Sequence, residues 1–318
     1  YLDLAAAGLS MPIGADLILH EHADAAQILL DGVRLGKVVE ETARRFATPL
    51  AIPRMDLELE KKMLLGMLGV APEDAATYHF PASPDPEAKA RVEALLKGPL
   101  PPAVQAGADA VRYIAERTEL VPVGMTIGPF SLMTKLIADP ISPVCMAGAG
   151  ISAEDDQSVR LVEDALELGM MVILRNVEAA IAAGAKAVFV AEPAANLVYI
   201  SPSQIADGSD VFERYVMAYN RRLKALLDRH GVDLFFHCCG ELIEYMVQQF
   251  TLLDPAILSL GSSRKLWEDA ALVPKTTVLF GNLPSKRFYS DDLVSLGDVE
   301  ARGRELRRRM SEAGHPFI

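Results

Sequence analysis

The sequence has little cysteine and no long hydrophobic run. Only three of its 318 residues are cysteine, and two of these, Cys238 and Cys239, are adjacent. Such thiols cannot build the disulfide framework of a small secreted protein, so we expect reduced thiols and a cytoplasmic location. No apolar stretch reaches the roughly 18 uncharged residues that a membrane helix requires, so we expect no membrane segment.

An excess of positive charge is also lacking. Lysine and arginine total 31 against 43 aspartates and glutamates, a net charge of −12. A chain with this balance is poorly suited to neutralising phosphates, so we expect no nucleic-acid partner. The Walker loop, the GxSxG motif and the HExxH motif are absent too. These absences argue against P-loop nucleotide hydrolases, α/β-hydrolases and HExxH metalloproteases.

What the chain does contain is a regular alternation of apolar strand-like segments and helical segments. The predicted strands are apolar throughout, which is typical of a parallel sheet buried on both faces. Seven are predicted, and an eighth begins at residues 315–318. The seven are Pro49–Met55, Thr77–Phe80, Leu120–Thr126, Lys186–Ala191, Val232–His237, Ala256–Leu260 and Thr276–Phe280. Eight such units fit a (β/α)8 TIM barrel, and a doubly wound open sheet is the alternative.

The predicted helices lie between these strands. Residues 1–48 form an N-terminal helical extension that includes a helix over Ala26–Arg45, and we treat 1–318 as a single domain. Pro140–Glu154 is predicted to be a long loop. The other predicted helices are Leu57–Leu68, Ala88–Lys97, Gly107–Arg117, Phe130–Ala138, Ser158–Ala183, Val211–His230, Glu241–Phe250, Lys265–Ala271 and Asp298–Ala313.

The sharpest candidate site is the segment His237-Cys238-Cys239-Gly240 at the end of a predicted strand. Active sites of barrels lie at the carboxyl ends of the strands. In an extended chain, residues two apart point to the same side, so His237 and Cys239 face one point while Cys238 faces away. An imidazole and a thiolate suit zinc, although a catalytic zinc site needs a third protein ligand. The alternative is a buried cysteine pair beside a hydrogen-bonded histidine.

Other polar residues at strand ends are weaker candidates. Glu192 ends an apolar strand and is a candidate site residue. The alternative is that it is a solvated carboxylate at the start of a loop. Asp56 follows the first strand, where it would equally serve as a helix N-cap. Arg264 would hold an anionic group or lie on the surface, and Asn282 would orient a substrate or close its own turn. Arg307–Arg309 are interpreted as a solvated helix face.

Four short segments, in this order and at strand ends, resemble the uroporphyrinogen decarboxylase superfamily, and within it the zinc-dependent cobalamin-linked methyltransferases. The segments are Ile127-Gly128-Pro129-Phe130, Glu192-Pro193-Ala194-Ala195 with Ile200-Ser201-Pro202, Phe236-His237-Cys238-Cys239-Gly240, and Phe280-Gly281-Asn282-Leu283. The resemblance implies a TIM barrel and covers the chain from about Pro49 to its end.

The resemblance also distinguishes between branches of the superfamily. The decarboxylase branch carries an arginine-rich segment near its N-terminus, and Pro49–Asp56 lacks the paired arginines that would bind tetrapyrrole propionates. The methyltransferase branch has zinc ligands that correspond to His237, Cys239 and a second cysteine near the C-terminus. No cysteine follows Cys239. We therefore expect the third ligand to lie beyond Ile318.

The methyltransferase branch implies zinc and a corrinoid, such as methylcobalamin, as cofactors. Zinc would activate a small thiol or a methylated donor, and a separate corrinoid protein would dock at the barrel mouth. Glu192 and Asn282 are then candidate catalytic residues. The candidate substrate-binding residues are Asp56, Tyr199, Ser201 and Arg264. Three alternatives stay open: a tetrapyrrole decarboxylase, a zinc lyase or hydrolase on the same barrel, and a non-catalytic metabolite-binding barrel.

Overall fold

The sheet of the protein is parallel and follows the order of the chain. A computed structural model describes residues 1–9, 14–284, 288, 290 and 292–318. Six strands pair in sequence order and curl into a half-barrel. They are β1 (Leu50–Ala51), β2 (Val121–Ile127), β3 (Ala187–Ala191), β4 (Asp233–Cys238), β5 (Ile257–Leu260) and β6 (Val278–Phe280). The α/β class and the parallel arrangement predicted from the sequence are confirmed.

The prediction of eight strands is only partly confirmed. Thr77–Phe80 is not a strand, because Tyr78 N–H closes a turn onto the Asp74 carbonyl and Phe80 is buried in the helical layer. At the C-terminus, Phe317 forms a parallel bridge with Leu279 of β6, as the predicted start of a strand requires. Within the described residues, six strands and this bridge make up the sheet, and no closed barrel is formed.

Helices cover the outer face of the sheet and precede its first strand. Those before β1 are α1 (Leu2–Ala6), α2 (Asp16–Leu19), α3 (Ala25–Ile28) and α4 (Gly32–Arg45). Between β1 and β3 lie α5 (Leu59–Met67), α6 (Pro86–Leu95), α7 (Pro102–Arg117), α8 (Pro129–Leu136), α9 (Ile141–Gly148) and α10 (Gln157–Ala182). After β3 follow α11 (Pro202–Ala206), a π-helical turn (Glu213–Met217) leading into α12 (Ala218–Arg229), α13 (Glu244–Thr251), α14 (Leu266–Asp269) and α15 (Leu296–Ala313). No helix among these described elements is long and apolar enough to cross a membrane.

One helix prediction and one loop prediction were wrong in detail. The single helix predicted over Ala26–Arg45 is two helices, since the Asp31 carboxylate accepts hydrogen bonds from the backbone N–H groups of Val33 and Arg34 and so begins α4. The loop predicted over Pro140–Glu154 contains α9, which the proline at position 140 precedes without disturbing. Proline immediately before a helix costs no intrahelical hydrogen bond.

The two faces of the strands pack into separate cores. Side chains such as Val188, Val190 and Phe236 point outward into the large core beneath the helices. Phe189 and Phe235 point to the inner face of the half-barrel. This alternation follows from the two-residue period of a strand.

The N-terminal helix α1 covers part of the inner face. Leu4 and Leu9 pack against the inner core, and the Tyr1 ring stands edge-on to Phe235 at 5.0 Å between centroids. The Tyr1 hydroxyl donates a hydrogen bond of 2.9 Å to Asp233 at the start of β4. The segment therefore runs along the inside of the sheet toward the carboxyl ends of the strands.

Candidate active site

A cavity of about 700 Å³ opens at the carboxyl ends of β4, β5 and β6. Polar and apolar side chains from distant parts of the chain share its wall. Among them are Leu9, His237, Cys239, Ser259, Asn282 and Arg307. Since the carboxyl ends of parallel strands meet at one edge, the sheet itself gathers these residues.

His237 is held in place by the neighbouring strand. It pairs in register with Ser259 of β5, and its Nδ1 lies 2.8 Å from the Ser259 Oγ. The imidazole is buried, with 8% of the residue exposed, and its ring centroid lies 5.7 Å from that of Phe189. The ring is thus oriented by a hydroxyl on one side and an aromatic neighbour on another.

The two adjacent cysteines have different surroundings. Cys239 is partly exposed and lines the cavity with His237. Cys238 is fully buried, and its Sγ lies 3.6 Å from the Ala195 carbonyl oxygen on the outer side of the sheet. Burial raises the pKa of the Cys238 thiol and so keeps it protonated. His237 and Cys239 thus line the same cavity while Cys238 faces the other side of the strand, which agrees with the alternation expected along an extended chain.

The donor set fits a metal only in part. An imidazole and a thiol on the wall of one cavity are the ligand types that zinc prefers. Within the described residues, however, no cluster of three histidine, cysteine, aspartate or glutamate side chains is suited to hold a metal ion. His237 and Cys239 would therefore offer a metal two ligands at most, and a third would have to come from elsewhere.

Glu192 lies behind the cavity wall. Its carboxylate is completely buried and accepts hydrogen bonds from Ser131 N–H at 2.6 Å and from the Asn220 amide at 3.0 Å. Burial raises the pKa of the Glu192 carboxyl, while the hydrogen bonds oppose the shift. A Cβ on Gly128 would lie 2.3 Å from this carboxylate, so only glycine fits beside it. The carboxylate thereby meets the positive N-terminal end of α8.

Asn282 and Arg264 stabilise the loop after β5. The Asn282 amide nitrogen donates to the carbonyl oxygens of Gly261 and Arg264, both at 2.7 Å. The Arg264 guanidinium pairs with the fully buried Asp269 and donates to the Leu242 carbonyl at 3.1 Å. Asn282 lines the cavity, whereas Arg264 lies next to it and does not contribute to its wall.

The other three predicted residues lie outside the cavity wall. Tyr199 packs edge-on against Phe130 at 6.2 Å, and Ser201 begins α11 as its N-cap. Asp56 accepts hydrogen bonds from Arg54 and, at 2.9 Å, from Glu58 N–H, so it closes the turn before α5. The structure brings together His237, Cys239 and Asn282 in one cavity and places these three elsewhere.

Several lining residues were not anticipated as part of the site, among them Ser259 and Arg307. Ser259 is a lone hydroxyl within the apolar strand AILSL, and this polar exception was the available signal. Arg307 lies on α15, in a segment predicted to be a solvated face. Gly303, Leu306 and Arg307 lie three and four residues apart, and all three line the cavity. That spacing marks one helix face.

Comparisons with known proteins identify the family. The profile described as Uroporphyrinogen decarboxylase (URO-D) matches residues 41–308. The chain belongs to this family, and the resemblance seen in its four short segments is confirmed. A search of curated proteins found no significant match. Among solved structures, a methyltransferase from Methanosarcina mazei has a similar fold, with a TM-score of 0.65 at 15% sequence identity, over 97% of this chain and 84% of that chain.

Proposed function

We propose that this protein is a zinc-dependent methyltransferase that moves a methyl group between a corrinoid and a small thiol or methylated donor. The observation that carries the proposal is the pairing of His237 and Cys239 on the wall of one cavity, with Cys238 turned away. The family and the fold shared with a methyltransferase support it. Zinc bound there would lower the pKa of a coordinated thiol.

The residues around this pair would position it. In this proposal the Ser259 hydroxyl, whose Oγ lies 2.8 Å from Nδ1, would accept the Nδ1 proton of His237, and Nε2 would be the metal-binding atom. Asn282 supports the loop after β5 through its nitrogen, and its amide oxygen would accept a hydrogen bond from a substrate. Glu192 would act as a positioning residue, because its N–H donates to the His237 carbonyl at 2.8 Å while its carboxylate anchors α8.

The size of the cavity suits a small substrate and a separate carrier for the corrinoid. A volume of about 700 Å³ lies within the range of small-molecule sites. The corrinoid, which is larger, would be presented at the cavity mouth by a corrinoid protein. The free state of Cys145, Cys238 and Cys239 agrees with a reducing, cytoplasmic setting.

A tetrapyrrole decarboxylase is less well supported. Its substrate carries several carboxylates and needs arginines at the site. Arg54, from the segment that corresponds to the arginine-rich region of that branch, pairs with Asp16 and Asp56. The positive charge of the Arg54 guanidinium is therefore already neutralised by two carboxylates of the protein.

Zinc analysis tests the proposal. We expect about one zinc per chain in the full-length protein after reconstitution, and loss of zinc in His237→Ala and in Cys239→Ala. Cys238→Ala is the matched control, because this neighbouring thiol is buried on the other side of the strand. Its zinc content should equal that of the wild type.

A second measurement addresses the reaction itself. The zinc-loaded protein should demethylate methylcobalamin with a thiol, or methylate cob(I)alamin from a methylated donor. Zinc retained in both the His237 and Cys239 variants would overturn the metal site. Zinc that depends on these residues, without methyl transfer in either direction, would contradict the methyltransferase and favour a zinc lyase or hydrolase.

A further inference from the structure

A second cavity lies on the outer side of the sheet, away from His237 and Cys239. Its volume is about 390 Å³, and it is bordered by α4, α5, α7 and α10 together with β1 and β2. Leucine, valine and alanine side chains make up most of its wall. It shares no lining residue with the candidate active site.

The cavity lies where the pairing of β1 with β2 stops. The ladder runs from Leu50 opposite Val121 to Ala51 opposite Pro122 and goes no further. After Ala51 of β1, the next residue whose backbone N–H would bond to β2 is residue 53. This residue is proline, which has no N–H. Proline therefore ends the ladder at this point.

Backbone groups of β2 are left facing this gap. Val121 N–H donates to the Pro49 carbonyl at 2.8 Å, so the odd-numbered residues of β2 turn their N–H and C=O toward β1. By the same parity, the Val123 C=O and the Met125 N–H face the gap beyond Ala51. Among the described residues, neither group bonds to the backbone of a loop or a helix. Val123 is buried, with 1% of the residue exposed, and Met125 is partly buried. Buried backbone groups are normally paired.

A buried asparagine adds a further polar atom. Asn176 of α10 lines the cavity, and only 7% of the residue is exposed. Its amide nitrogen donates to the Glu60 carboxylate at 2.7 Å and to the Met125 carbonyl at 3.2 Å. These two bonds fix the amide plane, and among the described residues the amide oxygen has no hydrogen-bond partner.

The charged side chains at the cavity rim are either ion-paired or exposed to solvent. Arg54 forms ion pairs with Asp16 and Asp56, and Lys62 is exposed to solvent. The remaining lining side chains, apart from Asn176, are apolar. A neutral ligand therefore fits better than an ion, because a charge would be desolvated without a partner.

We propose that this cavity binds a small, neutral, largely apolar molecule with a planar lactam-type edge. The N–H of that edge would donate to the Val123 C=O, and its C=O would accept from the Met125 N–H. The ligand would continue the ladder in place of the donor that Pro53 lacks. This site is independent of the zinc site and of the proposed methyl transfer.

Calorimetric titration of the intact protein with 2-quinolinone tests the proposal. Quinoline is the matched compound, since it has the same ring system without the N–H and C=O pair. We expect 2-quinolinone to bind about tenfold or more tightly than quinoline, as the loss of a buried hydrogen bond implies. Equal affinities for the two compounds, or no binding of 2-quinolinone, would overturn the proposal. This test uses only the unmodified protein.

Two glycine variants locate the binding. A Cβ on Gly107 of α7, which lines the cavity, meets no atom within 4 Å, so Gly107→Leu would fill the space. Gly66 of α5 is equally unobstructed but is exposed and outside the cavity, which makes Gly66→Leu the control. We expect about a tenfold loss of 2-quinolinone affinity in the first variant and none in the second. Unchanged affinity in Gly107→Leu would place the ligand elsewhere.

Discussion

The His237 imidazole lies within hydrogen-bond distance of a hydroxyl from the next strand. Ser259 Oγ is 2.8 Å from Nδ1, and partners of this kind usually account for 10- to 100-fold in metal affinity. We expect Ser259→Ala to bind zinc at least about tenfold more weakly than the wild type in a chelator competition assay.

Ser262→Ala provides the control, because Ser262 lines the same cavity but is exposed to solvent. Its zinc affinity should match that of the wild type. Equal losses in both serine variants would show that the cavity wall, and not the bond to His237, supports the metal.

Glu60 is a buried carboxyl with a pH-dependent effect on stability. Its Oε1 accepts hydrogen bonds from Thr126 and Asn176, while its Oε2 is buried without a partner among the described residues. Burial raises the pKa of Glu60 from 4.5 to about 7. The folded state therefore favours the protonated form, and this stabilisation is complete below pH 4.5 and lost as the pH rises through 7.

We expect the free energy of unfolding of the wild type to fall by about 2 to 3 kcal/mol relative to Glu60→Gln between pH 5 and pH 8. Urea denaturation at several pH values measures this difference. Glu73→Gln, a change at an exposed position, should keep the slope of the wild type. Parallel curves for the wild type and Glu60→Gln would contradict the raised pKa.

At the scale of single elements, α4 and α7 are joined by a close contact at a glycine. A Cβ on Gly36 would lie 2.7 Å from the Tyr113 ring. We expect Gly36→Ala to lower the free energy of unfolding by about 1–3 kcal/mol, because overpacking outweighs the better helix propensity of alanine. Gly66→Ala, in open space, should raise the free energy of unfolding by up to about 1 kcal/mol. A stabilised Gly36→Ala would show that the two helices separate easily.

The elements differed in how well their sequences predicted them. Strands β2 to β6 were predicted to within a few residues, because each is a short apolar run between turns. Thr77–Phe80 has strand-forming residues but packs into the helical layer, and tertiary contacts override local propensity there. At Asp31 a local feature decides the structure instead. Its side chain caps the start of α4 and so divides one helical sequence pattern into two helices.

In the molecule as a whole, α1 covers the inner face of the half-barrel. Leu4 packs against the inner core, whereas Leu2 on the same helix is 44% exposed. We expect Leu4→Ser to lower the free energy of unfolding by about 1–2 kcal/mol and Leu2→Ser by less than about 0.5 kcal/mol. Thermal and urea denaturation measure both. Equal effects would mean that α1 is not held against the sheet.

By itself, the sequence determined the parallel α/β class, most of the strands, and the common orientation of His237 and Cys239. These features depend on periods of two or about four residues, which neighbouring residues establish on their own. Only the tertiary structure decided that Ser259 lies beside His237, that Glu192 is enclosed beneath α8, and that Arg307 reaches the cavity. Packing between segments far apart in the chain sets those contacts, and no local pattern encodes such distances.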